Sequence, residues 1–133
     1  MKSWTDKLHA GRPHQVKAAP IDIAGMKRGQ IMLVPSPQIV DAFIRAIPHG
    51  QGMDVPMLRR RLARKYKAEV TCPITMGFQL RIVAEAMLEV HANGVPLKNL
   101  TPVWRVLDES VPVLGRLGAG KTVILAQRRA EKL

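Results

Sequence analysis

The residues best suited to chemistry on another molecule lie in the second half of this chain. Arg59, Arg60, Arg61, Arg64, Lys65 and Lys67 place six cations within nine positions, and no acid follows until Glu69. Like charges at that density repel one another unless an anion lies alongside. A solvated helix face is the plain reading of such a run, and a phosphate-binding face is the functional one. Gln79 and Arg81 stand a short way on as further candidate DNA contacts, Arg81 with a planar cation able to fill a base stack. Cys72 is the only thiol. Placed at a helix start beside Lys65 and Lys67, it could be a reactive nucleophile, although a lone cysteine is more often a small buried apolar residue. Gly115-Arg116-Leu117-Gly118-Ala119-Gly120-Lys121-Thr122 satisfies the Walker A pattern. That loop needs a strand before it and further strands carrying a magnesium-binding acid. Only eleven residues follow Thr122, so a milder role is expected, with Lys121 and backbone N–H groups near a DNA phosphate. His9, His14, His49 and His91 have no metal-ligand spacing, and Asp108 and Glu109 are neighbours without acid–base geometry. Neither a metal nor a cofactor is expected.

Helices must position these groups. Ser36-Pro37 is a helix start, and Val40, Phe43, Ile44 and Ile47 follow at i, i+3, i+4 and i+7 until Pro48 and Gly50 stop it. Asp54 caps the next helix, whose inner stripe is Val55, Leu58, Leu62 and Tyr66 and whose outer face carries the cations. A third helix begins between Thr71 and Gly77, buries Leu80, Val83, Ala84, Met87 and Leu88, and ends at Asn93-Gly94. Two helices joined by a short turn, the first strongly basic, match a helix-turn-helix. Val103 to Leu107 suits a short strand or extended loop, Asp108 to Pro112 a loop, and a last helix starts near Lys121 or Thr122. Ile31 to Val34 suits a strand, and residues 1–30 read as a basic N-terminal arm with one short turn near Trp4 to Leu8.

Composition agrees with one small helical domain over residues 31–133. Of 133 residues, 47% are hydrophobic and only 4% aromatic, so the core rests on Leu, Ile, Val, Met and Ala. The net charge of +11, from 21 Lys+Arg against 10 Asp+Glu, attracts polyanions, nucleic acid first and acidic membrane or protein surfaces behind it. No apolar run is long enough for a membrane span, the N-terminus lacks a signal-peptide block, and one cysteine excludes an internal disulfide. The expectation is a cytoplasmic protein without membrane contact.

In this order the parts resemble the C-terminal DNA-binding domain of the alkylguanine-DNA alkyltransferases, over roughly residues 36 to 133. Phe43-Ile44-Arg45-Ala46-Ile47-Pro48-His49-Gly50 is similar to the family's first helix and its Ile-Pro-x-Gly stop. Arg81-Ile82-Val83-Ala84-Glu85-Ala86-Met87 looks like the recognition-helix motif Arg-Ala-Val-Gly-x-Ala-Met, and Asn93-Gly94 like the Asn hinge. Thr101-Pro102-Val103-Trp104-Arg105-Val106-Leu107 looks like the active-site motif Ile-Pro-Cys-His-Arg-Val-Ile. The resemblance implies a mainly α, winged-helix-like helix-turn-helix fold with at most a short β-element. It also implies a recognition helix in the minor groove, with Arg81 filling the gap left by a flipped-out base.

Two departures decide the expected chemistry. Val103 stands where the acceptor Cys would be, and Trp104 where the activating His would be. Valine has no nucleophile, so the family's alkyl transfer cannot run at this position. The nearest likeness is to the non-catalytic alkyltransferase-like proteins, which bind lesions and pass them to other repair proteins. The leading expectation is therefore a protein that recognises duplex DNA, with alkylated bases as the candidate feature, and that performs no transfer. Arg59, Arg60, Arg64, Lys65 and Lys67 would contact phosphates. Pro102, Val103, Trp104 and Arg105 would form a dry pocket, Arg105 as its brace. Core filling is the competing role for Trp104, and an i,i+4 pair with Glu85 the competing role for Arg81. The alternatives are a divergent alkyl acceptor using Cys72 and a plain DNA-binding or regulatory module.

Overall fold

A computed structural model of the chain describes residues 2–133. Its longest element is α4 (Pro73–Ala92), 20 residues and about 30 Å long. This helix is apolar on most of its circumference because other elements pack around it. Met76, Leu80, Val83, Ala84 and Met87 are buried in the main core. That core also holds Val40 and Ile44 of α2 (Pro37–Arg45), Leu58 and Leu62 of α3 (Val55–Lys65), and Ile124 of α6 (Gly120–Ala130).

Helix starts follow local chemistry. Ser36 Oγ accepts the Ile39 N–H at 3.2 Å and Asp54 Oδ1 accepts the Met57 N–H at 2.8 Å, each with proline in the first turn behind it. The molecule is mainly α with a short β-element, as its periodicity predicts: about 52% of it is helical. Strand β2 (Ile31–Val34) lies centrally in a three-stranded sheet. It pairs antiparallel with β1 (Gln15–Ala18) and parallel with β3 (Val70–Thr71).

The structure differs from the sequence reading at three points. The connection between α3 and α4 is longer than a tight turn. Lys67 takes φ +59° to close α3, and Val70-Thr71 then pairs with Met32-Leu33 before α4 begins. The partner strand lies nearly forty positions upstream, so local turn chemistry could not reveal it. Next, Val103–Arg105 is one turn of 3-10 helix rather than a strand. The Val103 carbonyl accepts the Val106 N–H at 3.1 Å, so it is used locally instead of in a ladder. Last, residues 2–30 are folded onto the domain. Trp4–Ala10 forms α1, capped by a reciprocal Ser3–Asp6 box and packed on α4. The carboxylate of Glu89 on α4 accepts from the Trp4 and Thr5 N–H groups at 3.1 and 3.2 Å and from Thr5 Oγ1 at 2.7 Å. The Thr5 hydroxyl, its N–H and that of Trp4 hold the Glu89 carboxyl below its ordinary range against a smaller desolvation effect. Ile23-Ala24-Gly25-Met26 then makes a two-residue hairpin turn, with φ +47° and +88° at its centre and N–H···O bonds of 2.9 and 2.8 Å across it. No helix among the described residues is long and apolar enough to cross a membrane.

Candidate nucleic-acid interface

The cations of α3 stand in water. Arg60, Arg61, Arg64, Lys65 and Lys67 are exposed and Arg59 is half-buried. Among the described residues the ion pairs are Arg45–Asp41, Arg81–Glu85 and Arg105–Glu131, so none of the six has an acid within 4 Å. Arg60 and Arg64 recur at helical spacing on the side turned from Leu58 and Leu62, which commits one face of α3 to positive charge, and Lys67 follows just past its end.

Beside that face lies a groove of about 390 Å³ between α3, the N-terminal half of α4 and the short helix α5 (Pro112–Gly115). Its walls include Val55, Arg59, Met76, Gly77, Phe78, Arg81, Val113 and Arg116. The volume lies within the usual range for small-ligand clefts, about 300–1,000 Å³. Cys72 gives α4 no side-chain cap, and Pro73 has no N–H. The positive end of a 20-residue helix therefore opens next to the groove.

Arg81 lines this groove and is loosely held, its buried Nε without a hydrogen-bond partner. Its side chain is 37% exposed, its Nε lies 3.7 Å from Glu85 Oε2, and its guanidinium sits 5.3 Å from the centre of the Trp4 ring. The intrahelical pair considered from sequence is thus present, with an aromatic lid added by α1. Gln79 is turned inward, its Nε2 donating to the Pro35 carbonyl at 3.0 Å. That bond fastens α4 to the β2–α2 connection, and the amide Oε1 is buried without a partner.

The expected pocket at residues 102–105 takes another form. Val103 is 1% exposed and belongs to the main core. Pro102, Trp104 and Arg105 instead border a separate cleft of about 480 Å³ with Arg45, His49, Lys98 and Gln127. In a 3-10 turn successive side chains diverge by about 120°, so Val103 and Trp104 cannot face one cavity. The wall of that cleft is a hydrogen-bonded cluster around Glu131, a residue to which sequence periodicity attached no role. Trp104 Nε1 donates to Glu131 Oε2 at 2.5 Å, and Arg105 donates to both carboxylate oxygens at 2.8 and 3.0 Å. The Gly50 N–H adds a bond of 2.8 Å to Oε1, and Arg105 Nη1 donates to the Ile47 carbonyl at 2.7 Å. Burial pushes the Glu131 carboxyl up. The Arg105 guanidinium, the Gly50 N–H and the Trp104 indole together outweigh it and hold the group at about 2. Arg105 braces the C-terminal helix through Glu131 and the Ile47 carbonyl, and Trp104 is both core filling and an anchor for that helix.

Cys72 sits over the small cluster of Ala19, Met26 and Met32, and its Sγ accepts from Thr75 Oγ1 at 3.4 Å. It is not among the residues lining either cleft. No group of three or more His, Cys, Asp or Glu among the described residues is placed to hold a metal ion.

The Walker-like segment has helix α5 before it, not a strand. Several of its N–H groups are engaged within the chain: Leu117, Gly120, Lys121 and Thr122 donate to Leu114, Leu117, Gly118 and Ala119. Lys121 is exposed on this turn. Gly120 has a packing reason instead, since a Cβ there would lie 2.3 Å from Leu88 Cδ1. Gly120→Ala is expected to cost about 1 kcal/mol as Leu88 is displaced. Differential scanning fluorimetry should register it as a fall of a few degrees in Tm. ATP with magnesium should leave the wild-type Tm unchanged; a rise of several degrees would restore the nucleotide reading.

Phe78 and Arg116 escaped the sequence reading. The signal for Phe78 was present, because an apolar residue outside the stripe Leu80, Val83, Ala84 and Met87 must face away from the core. Arg116 could be assigned only with α5 in place. In comparisons with protein-family models, curated proteins and solved structures, the chain matches none.

Proposed function

We propose that this chain is an alkyltransferase-like DNA-binding protein. It holds duplex DNA, favours sites with an alkylated or unstacked base, and performs no alkyl transfer. The observation that carries this reading is the unpaired cationic face of α3 beside a groove that is itself lined by arginines and by no acid. Phosphates lie against Arg60, Arg64, Lys65 and Lys67, with Arg59 at the junction of face and groove. The uncapped start of α4 favours an anion at the same place. A base turned out of the stack fits the groove between α4 and α5, while Val103, deep in the core, offers no nucleophile. A repair protein that acts after binding is the further partner this reading requires.

The test is a titration at one fixed salt concentration of two duplexes identical except for one alkylated guanine. Tighter binding to the alkylated duplex by a factor of about ten is expected. Equal affinity would reduce the protein to a plain DNA-binding module, and no affinity for either duplex would end the reading. Mass spectrometry of the protein after the same incubation should find its mass unchanged; a methyl group on Cys72 would make it an acceptor after all.

A further inference from the structure

We propose that Phe78 is the residue that stacks on the exposed base, whereas the resemblance gives the base-probing part to Arg81, in the gap that the base leaves. This rests on the DNA-binding reading above. Ile74, Phe78 and Arg81 follow at i, i+4 and i+7 and share the outward face of α4. Phe78 is 62% exposed and Ile74 47%. The chain has only two phenylalanines, and the other, Phe43, packs against the core. An aromatic ring left in water on a helix otherwise wrapped by protein invites a flat apolar partner.

The surroundings select the partner. Arg59, Arg81 and Arg116 line the groove that Phe78 borders, and no Asp or Glu does. A ligand that brings negative charge and a planar apolar face together is a nucleotide, with its phosphate among the arginines and its base on the ring. The cationic face of α3 meets this groove through Arg59, so one nucleic-acid strand can touch both. Arg81 already makes two loose contacts away from the stack. To enter it, the guanidinium would have to leave both Glu85 and the Trp4 ring. Phe78 gives up no such contact. Apolar side chains serve as wedges between base steps in proteins that bind the minor groove, which suits a ring presented by a recognition helix.

The experiment uses the full chain and a duplex carrying 2-aminopurine at a mispaired position, followed by fluorescence and by anisotropy. Wild-type protein should quench the 2-aminopurine on binding. Phe78→Ala should lose that quench and bind about 5- to 150-fold more weakly, the range for one base–aromatic stack. Phe78→Trp should restore both signals, whereas Arg81→Ala should keep most of the quench. Because Phe78 lies outside the core, circular dichroism of the variants should match wild type. Unchanged affinity and quench in Phe78→Ala, or loss of the quench in Arg81→Ala alone, would overturn the assignment and leave DNA binding standing. A wild-type protein that binds no duplex would overturn both. If sedimentation finds a wild-type dimer that Phe78→Ala dissociates with DNA affinity intact, the ring serves a second copy and the assignment fails.

Discussion

Glu131→Ala is expected to remove about 3–5 kcal/mol of folding stability, the usual cost of leaving one member of a buried ion pair without its partner. Glu131 is 8% exposed and joins three parts of the chain that are remote in sequence. It ties α6 to the Trp104-Arg105 turn and both to the Gly50 N–H after α2. Without it, the Arg105 guanidinium stays half-buried with only the Ile47 carbonyl as acceptor, and the Trp104 indole N–H loses its acceptor. In thermal unfolding the change should appear as a drop of the order of 10 °C. A shift below about 2 °C would mean that the cluster is not a structural lock.

The same carboxyl sets a pH dependence. Its folded value, about 2, lies below the ordinary 4.5. A group with a depressed folded value contributes its full stability above its unfolded value and loses it as pH falls through the folded one. The contribution, of the order of 3 kcal/mol, should be complete above about pH 4.5 and fade towards pH 2. Glu131→Gln keeps an acceptor but cannot titrate, so its urea-unfolding stability should fall less steeply than wild type across that window. Parallel curves would place the acid sensitivity elsewhere.

Replacing Arg60, Arg64 and Lys65 together by Ala should have the largest effect on binding. Each phosphate contact contributes a slope of about 0.9 to the dependence of log affinity on log salt. Losing three should flatten that slope by up to about 2.7 and weaken binding by orders of magnitude at low salt. All three side chains are exposed and lack acid partners, so the fold should persist and stability should hold or rise slightly as their repulsion disappears. The change should weaken alkylated and plain duplex alike, because phosphates carry no base information. An unaltered salt slope would remove α3 from the interface.

These two experiments probe features that differ in how far they could be read from the chain. The cationic face of α3 was legible because Asp54, Pro56 and the stripe Leu58, Leu62 and Tyr66 fix where the helix starts and which side is buried. Helical period then dictates that Arg60 and Arg64 point outward. The same local logic placed α2, α4, the last helix and the Ile31–Val34 strand. It failed where a contact spans a long loop. The partner of β2 in the α3–α4 connection, the docking of α1 on α4 and the Glu131 cluster each join residues more than twenty positions apart.

The division is physical. Short-range order in this protein, its caps, its apolar stripes and its excess of positive charge, follows from interactions within about one helical turn, and the order of residues specifies those directly. The state of each functional side chain is a matter of what meets it from elsewhere. Arg81 is held by Trp4 from the other end of the chain, Val103 is turned into the core by a 3-10 turn, and Gln79 is drawn to Pro35. Phe78 remains in water because none of the described elements packs over it. Only the packed tertiary structure could decide which of these groups was left free to meet a ligand.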